Sequence, residues 1–141
     1  MSKPTPITFS QAPLVLFHAP VYAGFPSPAA DYAQSSINLN EHLITNQSAT
    51  FLFRVRGDSM SGIGIYDGDT LVVDRSITPK HKQIVLAIVD EDFTVKRLYK
   101  RNGIVKLIAE NPEFPPIELK DGQELRVWGV VTFNLHSLLN V

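Results

Sequence analysis

The chain has 141 residues, of which 44% are hydrophobic and ten are prolines, a length and composition that suit one turn-rich globular domain with a real core. Its formal net charge of -1, with 19% charged residues, shows no polyanion-seeking bias and argues against direct sequence-specific DNA binding. The absence of cysteine excludes disulfides and thiolate metal sites and fits a cytoplasmic protein.

Residues 1 to 22 hold one short apolar run, Leu14-Val15-Leu16-Phe17, between Pro13 and Pro20. No run approaches the roughly 20 apolar residues of a membrane helix, so no membrane span is expected. Lys3 and Ala23-Gly24 imitate the two ends of a secretory signal, but the prolines break its middle. Ile7, Phe9 and the Leu14 to Phe17 run instead predict short strands in an arm that carries Ala23-Gly24. In Phe25-Pro26-Ser27-Pro28 the prolines favour extended backbone, which is the form a protease binds. A helical turn is predicted over Ala29 to Ser35, and Asn38 is placed to cap a short helix through Leu43 and Ile44.

From residue 49 the pattern is predominantly β. Phe51, Phe53 and Val55 alternate with Leu52, Arg54 and Arg56, predicting a strand that delivers Gly57-Asp58-Ser59-Met60 at its end. Tyr66-Asp67-Gly68-Asp69 reads as a turn and Thr70 to Val73 as a further strand. Ile84 to Val89 is continuously apolar and so expected to be buried on both faces. Asp90-Glu91-Asp92 turns the chain into the strand Phe93-Thr94-Val95-Lys96-Arg97-Leu98, on which Thr94, Lys96 and Leu98 share one face. Asn102-Gly103 is the strongest hairpin signal, leading to a strand over Ile104 to Ala109. Asn111 to Pro116 reads as a rigid connection. Glu124 to Leu135 is the last long strand, with a bulge expected at Gly129 and an apolar surface suited to a dimer contact.

Gly-Asp-Ser is ordinary turn chemistry, yet a serine in a tight turn after a strand also holds its hydroxyl clear of the backbone, as a nucleophile must. Its base need not be histidine. His18, His42, His81 and His136 sit in no partner motif, whereas a desolvated lysine does the same work, and Lys96 lies in the middle of a strand, either solvated beside Arg97 and Lys100 or buried against Ser59. Burial would push its ammonium well below the usual lysine range, a strain tolerated mainly at functional sites. Asp67, Asp69 and Asp74 read as turn caps, not metal ligands, because no His or Cys joins them and no calcium-loop spacing follows. No cofactor and no metal are expected.

Gly57-Asp58-Ser59-Met60, Asp67-Gly68-Asp69, Asp74, Thr94-Val95-Lys96-Arg97-Leu98 and Ala109-Glu110-Asn111, in this order, resemble the self-processing Ser-Lys proteases of the LexA and UmuD type. Tyr22 to Tyr32 resembles the scissile region of that family, and the resemblance covers about residues 22 to 132. It implies a mostly β, single compact domain of the LexA and signal-peptidase kind with an N-terminal arm: residues 1–23 removed by self-cleavage, 24–48 a linker with short helical turns, and 49–141 the catalytic and dimerisation domain. Ser59 would attack the carbonyl of Ala23, Lys96 would be the base, the N–H groups of Asp58 and Ser59 would form the oxyanion hole, and Thr94 would support Lys96. The 23 residues before the cut cannot make a helix-turn-helix domain, so the resemblance favours the UmuD branch. There the implied partners are a second copy of the chain, a RecA filament on single-stranded DNA that promotes cleavage, and the catalytic subunit of a translesion polymerase. Ala23 departs from UmuD-like relatives, which often carry cysteine there. A LexA-like repressor fragment, a signal-peptidase-like enzyme and a non-enzymatic dimerising module are the other readings.

Overall fold

The computed structural model describes residues 14–24, 33–118 and 125–139. The expected strand positions Ile7 and Phe9, the Phe25 to Pro28 segment and residues 29–32 of the expected helical turn lie outside them. The chain divides into two units, Met1–Thr45 and Asn46–Val141.

In the first unit, β1 (Leu14–Phe17) pairs antiparallel with β2 (Gln34–Ile37), with Leu14 opposite Ile37 and Phe17 opposite Gln34. Gln34 and Ser35, predicted as the end of a helical turn, are therefore strand: a cross-strand ladder satisfies their backbone groups, which an isolated turn would leave to water. The hydroxyl of Ser35 meets His18 Nε2 at 2.9 Å. Asn38 caps α1 (Leu39–Leu43) as its sequence position requires, with Oδ1 accepting the N–H groups of Asn40 and Glu41.

The second unit is a seven-stranded antiparallel sheet. It contains β3 (Thr50–Arg54), β4 (Thr70–Asp74), β5 (Ile84–Val89), β6 (Asp92–Arg101), β7 (Ile104–Ile108), β8 (Ile117–Glu118) and β9 (Leu125–Leu135). Their order across the sheet is β3-β4-β9-β5-β6-β7-β8. The fold is thus mostly β, as expected. Val85, Leu86 and Ala87 of β5 are all buried because its alternate side chains enter two cores. Leu86 joins Val55, Met60, Ile65, Leu71 and Val73, while Val85 and Ala87 join Leu98, Leu107 and Val130. Asn102 and Gly103 take φ of 52° and 74°, the left-handed pair that a two-residue hairpin between β6 and β7 needs.

β9 is an interior strand, with β4 on one side and β5 on the other, so the edges of the sheet described are β3 and β8. It buckles twice. Its register against β5 slips between Leu86 and Ala87, leaving Trp128 as an extra residue, and against β4 between Val72 and Val73, leaving Thr132. Gly129 follows the first bulge because a Cβ there would stand 2.6 Å from Val73 Cγ1. Trp128 packs edge-on against Phe51 and Phe53 and carries the Arg75 guanidinium over its ring at 4.3 Å.

Candidate active site

β3 ends at Arg54 and hands the chain to a turn that begins at Gly57, whose φ of 92° suits only glycine without strain. Two neighbouring segments hold that turn. From one side, Asp67 Oδ1 accepts the Gly57 N–H at 2.8 Å, and Val55 exchanges backbone hydrogen bonds with Gly68 and Asp69. From the other, Asn111 Nδ2 donates to the Asp58 carbonyl at 3.0 Å, the Gly62 N–H donates to the Glu110 carbonyl at 2.7 Å, and Met60 Sδ accepts the Glu110 N–H. Met60 itself is 1% exposed and anchors the turn in the core beside Val55 and Leu86. Ser59 is thereby fixed at the surface end of an apolar anchor.

β6 presents Lys96 to this serine. Lys96 Nζ stands 3.0 Å from Ser59 Oγ, 2.7 Å from Thr94 Oγ1 and 3.1 Å from the Val95 carbonyl. Thr94 and Lys96 share a strand face, so the threonine hydroxyl reaches the amine from two residues away. Lys96 is 8% exposed, and among the described residues no carboxylate pairs with it. Burial pushes its ammonium below the usual lysine range. A neutral amine fits these neighbours without a broken bond: its two N–H groups serve Val95 and Thr94, and its lone pair faces the Ser59 hydroxyl as an acceptor.

The N–H groups of Asp58 and Ser59 donate to no other described residue. Beside them lies a cleft of about 290 Å³ lined by Phe53, Val55, Leu86, Phe93 and Val95, with Ser59 and Lys96 at its wall. Ala23 and Gly24 belong to the first unit, where both are exposed in a bend after β1.

A second polar cluster escaped the sequence reading. Asp69, 4% exposed, accepts the Tyr66 N–H and the Asn134 amide at Oδ2 and meets His136 Nδ1 at 2.5 Å from Oδ1. Burial alone would push its carboxyl up, but the hydrogen bonds from Asn134, His136 and Tyr66 outweigh it and hold the group below the usual carboxylate range. His136 thus has a partner that no local motif announces, since 67 residues separate the pair. Asp74 caps Ser76 through its backbone N–H and its hydroxyl, and among the described residues no His, Asp and Glu gather as a metal site. Among them, too, no helix is long and apolar enough to cross a membrane.

The comparisons with known proteins agree with one another. Residues 15–132 match the family described as peptidase S24-like. The chain is 45% identical over 120 residues to Protein MucA of Escherichia coli, covering 84% of this chain and 80% of that one. It is 43% identical over 128 residues to Protein SamA of Salmonella typhimurium, covering 91% and 87%. It is also 42% identical over 111 residues to the LexA repressor of Ectopseudomonas mendocina, covering 78% of this chain and 54% of the repressor. With a family match over most of its length and relatives of this identity, the chain belongs to the peptidase S24-like family.

Proposed function

We propose that this protein cuts its own Ala23–Gly24 bond with a Ser59/Lys96 dyad. The observation that carries the reading is the 3.0 Å approach of a buried, carboxylate-free Lys96 amine to the Ser59 hydroxyl. Neutral Lys96 takes the Ser59 proton as Oγ bonds to the Ala23 carbonyl carbon. The carbonyl oxygen becomes an oxyanion between the N–H groups of Asp58 and Ser59, whose hydrogen bonds strengthen as charge develops. The C–N bond breaks, Lys96 returns its proton to the Gly24 nitrogen, and the new amine leaves. Lys96 then takes a proton from water as its oxygen attacks the acyl-enzyme, and hands that proton to Ser59 Oγ as the ester bond breaks, which restores the serine hydroxyl and the neutral amine and releases the Ala23 carboxylic acid to ionise. Thr94 keeps the amine aimed at Ser59 through both steps.

In this reading residues 1–23 are the segment released, 24–48 the linker and 49–141 the catalytic and dimerising part. The likeness to MucA and SamA, with the scissile-region motif, supports the UmuD branch of the family. Cleavage in the cytoplasm is accordingly promoted by a RecA filament on single-stranded DNA during the SOS response, and the homodimeric product serves a translesion polymerase as accessory subunit.

The test is incubation of the pure protein at pH 7 and at pH 10, with mass analysis of the products. A fragment beginning at Gly24 should accumulate faster at the higher pH, and Ser59→Ala should stay whole. Cleavage of Ser59→Ala at the wild-type rate would assign the cut to a contaminating protease and end the proposal.

A further inference from the structure

The candidate oxyanion donors belong to the backbone, and a backbone N–H points where its peptide plane points. The Ser59 N–H and the Asp58 carbonyl are the two ends of one planar trans peptide, directed to opposite sides. Whatever fixes the carbonyl therefore aims the N–H. Asn111 Nδ2 donates to that carbonyl at 3.0 Å, and the Ser61 N–H donates to it at 3.2 Å. The orientation of the Asn111 amide is itself determined, because its Oδ1 accepts the Glu113 N–H at 3.0 Å while Nδ2 also meets Ser61 Oγ at 3.5 Å. The Arg56–Gly57 peptide, two upstream, is held as well, with the Gly57 N–H on Asp67 Oδ1 at 2.8 Å. Two side chains from two different segments thus pin the backbone that leads into the nucleophile, while the Asp58 and Ser59 N–H groups donate to no other described residue.

We propose that Asn111 is the positioning residue of the oxyanion hole: by holding the Asp58 carbonyl it presets and polarises the peptide that presents the Ser59 N–H to the reacting carbonyl. The inference rests on the Ser59/Lys96 reading and deepens it. A hydrogen bond accepted at a peptide oxygen makes the N–H at the other end a stronger donor, so the contact acts on strength as well as direction. The apolar anchor Met60 fixes where the turn sits; Asn111 fixes how one plane within it is rotated.

The test measures self-cleavage against pH for the full chain and for Asn111→Asp, Asn111→Ala and Asn111→Gln, with urea unfolding of each alongside. Asn111→Asp keeps an acceptor for the Glu113 N–H and loses only the donor to Asp58; Asn111→Ala separates that loss from the added charge. The plateau rate at high pH should fall about ten- to a hundredfold in both, the scale of supporting-residue losses and of small misplacements at a reacting centre. The midpoint of the profile should stay where it is, because Lys96 remains as buried as before. Asn111→Gln, which retains an amide donor, should recover part of the rate. A merely structural role predicts the reverse pattern: a loosened site admits water, Lys96 regains solvation and the midpoint climbs toward the ordinary lysine range. That pattern, or an unchanged plateau in Asn111→Asp, overturns the proposal while leaving the dyad standing. A wild-type chain that stays whole at high pH overturns both. Should a variant be unfolded in the assay, Asn111→Ser replaces it with the same expectation.

Discussion

Among the described residues of the second unit three ionisable side chains are almost completely buried, Asp69 and Asp74 at 4% and Lys96 at 8% exposed, and the sheet treats Asp69 and Lys96 in opposite ways. Asp69 is surrounded by donors: a backbone N–H, an amide and an imidazole. Lys96 is given only neutral oxygens. The first arrangement favours the charged form and the second disfavours it, so both groups move down in pKa, but for a carboxyl that is stabilisation of charge and for an amine its removal. A buried charge with partners holds a fold together. A buried amine with no opposite charge among the described residues is pushed toward its neutral form.

Four experiments would break or sharpen that contrast. The largest effect belongs to Lys96→Ala, which should slow self-cleavage by about a thousandfold or more, the scale on which a proton acceptor in such a dyad acts. Lys100→Ala, whose residue is exposed on the same strand, should cleave at the wild-type rate. Time courses read by mass spectrometry check both, and equal rates for the two variants would remove the distinction between them.

Asp69→Ala should cost about 2 to 4 kcal/mol in urea unfolding at neutral pH, because it strands the buried donors of Asn134 and Tyr66 together with the His136 ring. Its folded pKa lies below the unfolded one, so the stabilisation is present above the unfolded carboxyl pKa and is lost as pH falls through the folded value. The difference between wild type and variant should therefore shrink in strong acid. A constant difference across that range would mean that the carboxylate charge is not what Asn134 and His136 hold.

Lys96→Met should go the other way and stabilise the protein by about 1 to 2 kcal/mol at pH 7 while abolishing cleavage, since an unpaired buried cation is exchanged for an apolar chain of similar length. The unfolded chain keeps the lysine proton to higher pH than the folded chain does. The penalty is thus greatest below the folded pKa and vanishes above the unfolded one, and the gain from Met should fade through the alkaline range. A variant less stable than wild type at pH 7 would show Lys96 to be structurally favourable. The smallest change belongs to His136→Ala, which should cost about 1 kcal/mol, because Asp69 retains two of its donors, Asn134 and Tyr66.

What could be read in the sequence was whatever depends on near neighbours. The alternation at Phe51, Phe53 and Val55, the Asn38 cap and the Asn102-Gly103 turn are local, and each appears in the structure at the expected place. Gly129 was legible as a bulge, though the reason lies in Val73, which no local rule supplies. The sequence also offered Ser59, Thr94 and Lys96 as candidates, and Lys96 Nζ lies within hydrogen-bond distance of both hydroxyls. Illegible were the partnerships made across the sheet. Asp69 with His136, and Asn111 with Asp58, meet only because distant segments converge, and Asp, Asn and His give the same local signal in a solvated turn as in a buried cluster. The place of β9 in the sheet was illegible for a related reason: a long apolar strand reads alike at an edge and in the middle of a sheet, and only the pairing with both β4 and β5 decides.

Gly62 sits where the serine-bearing turn and the segment before Asn111 touch backbone to backbone, and a methyl group at that position would run into the Glu110 carbonyl. The smallest possible side chain is therefore a wedge. Gly62→Ala would force the two segments apart and draw Asn111 off the Asp58 carbonyl without altering any group that takes part in chemistry. If the proposed self-cleavage holds, a lesion there would silence it from a residue with no side chain to lose, and a screen that removes side chains one at a time would never find it.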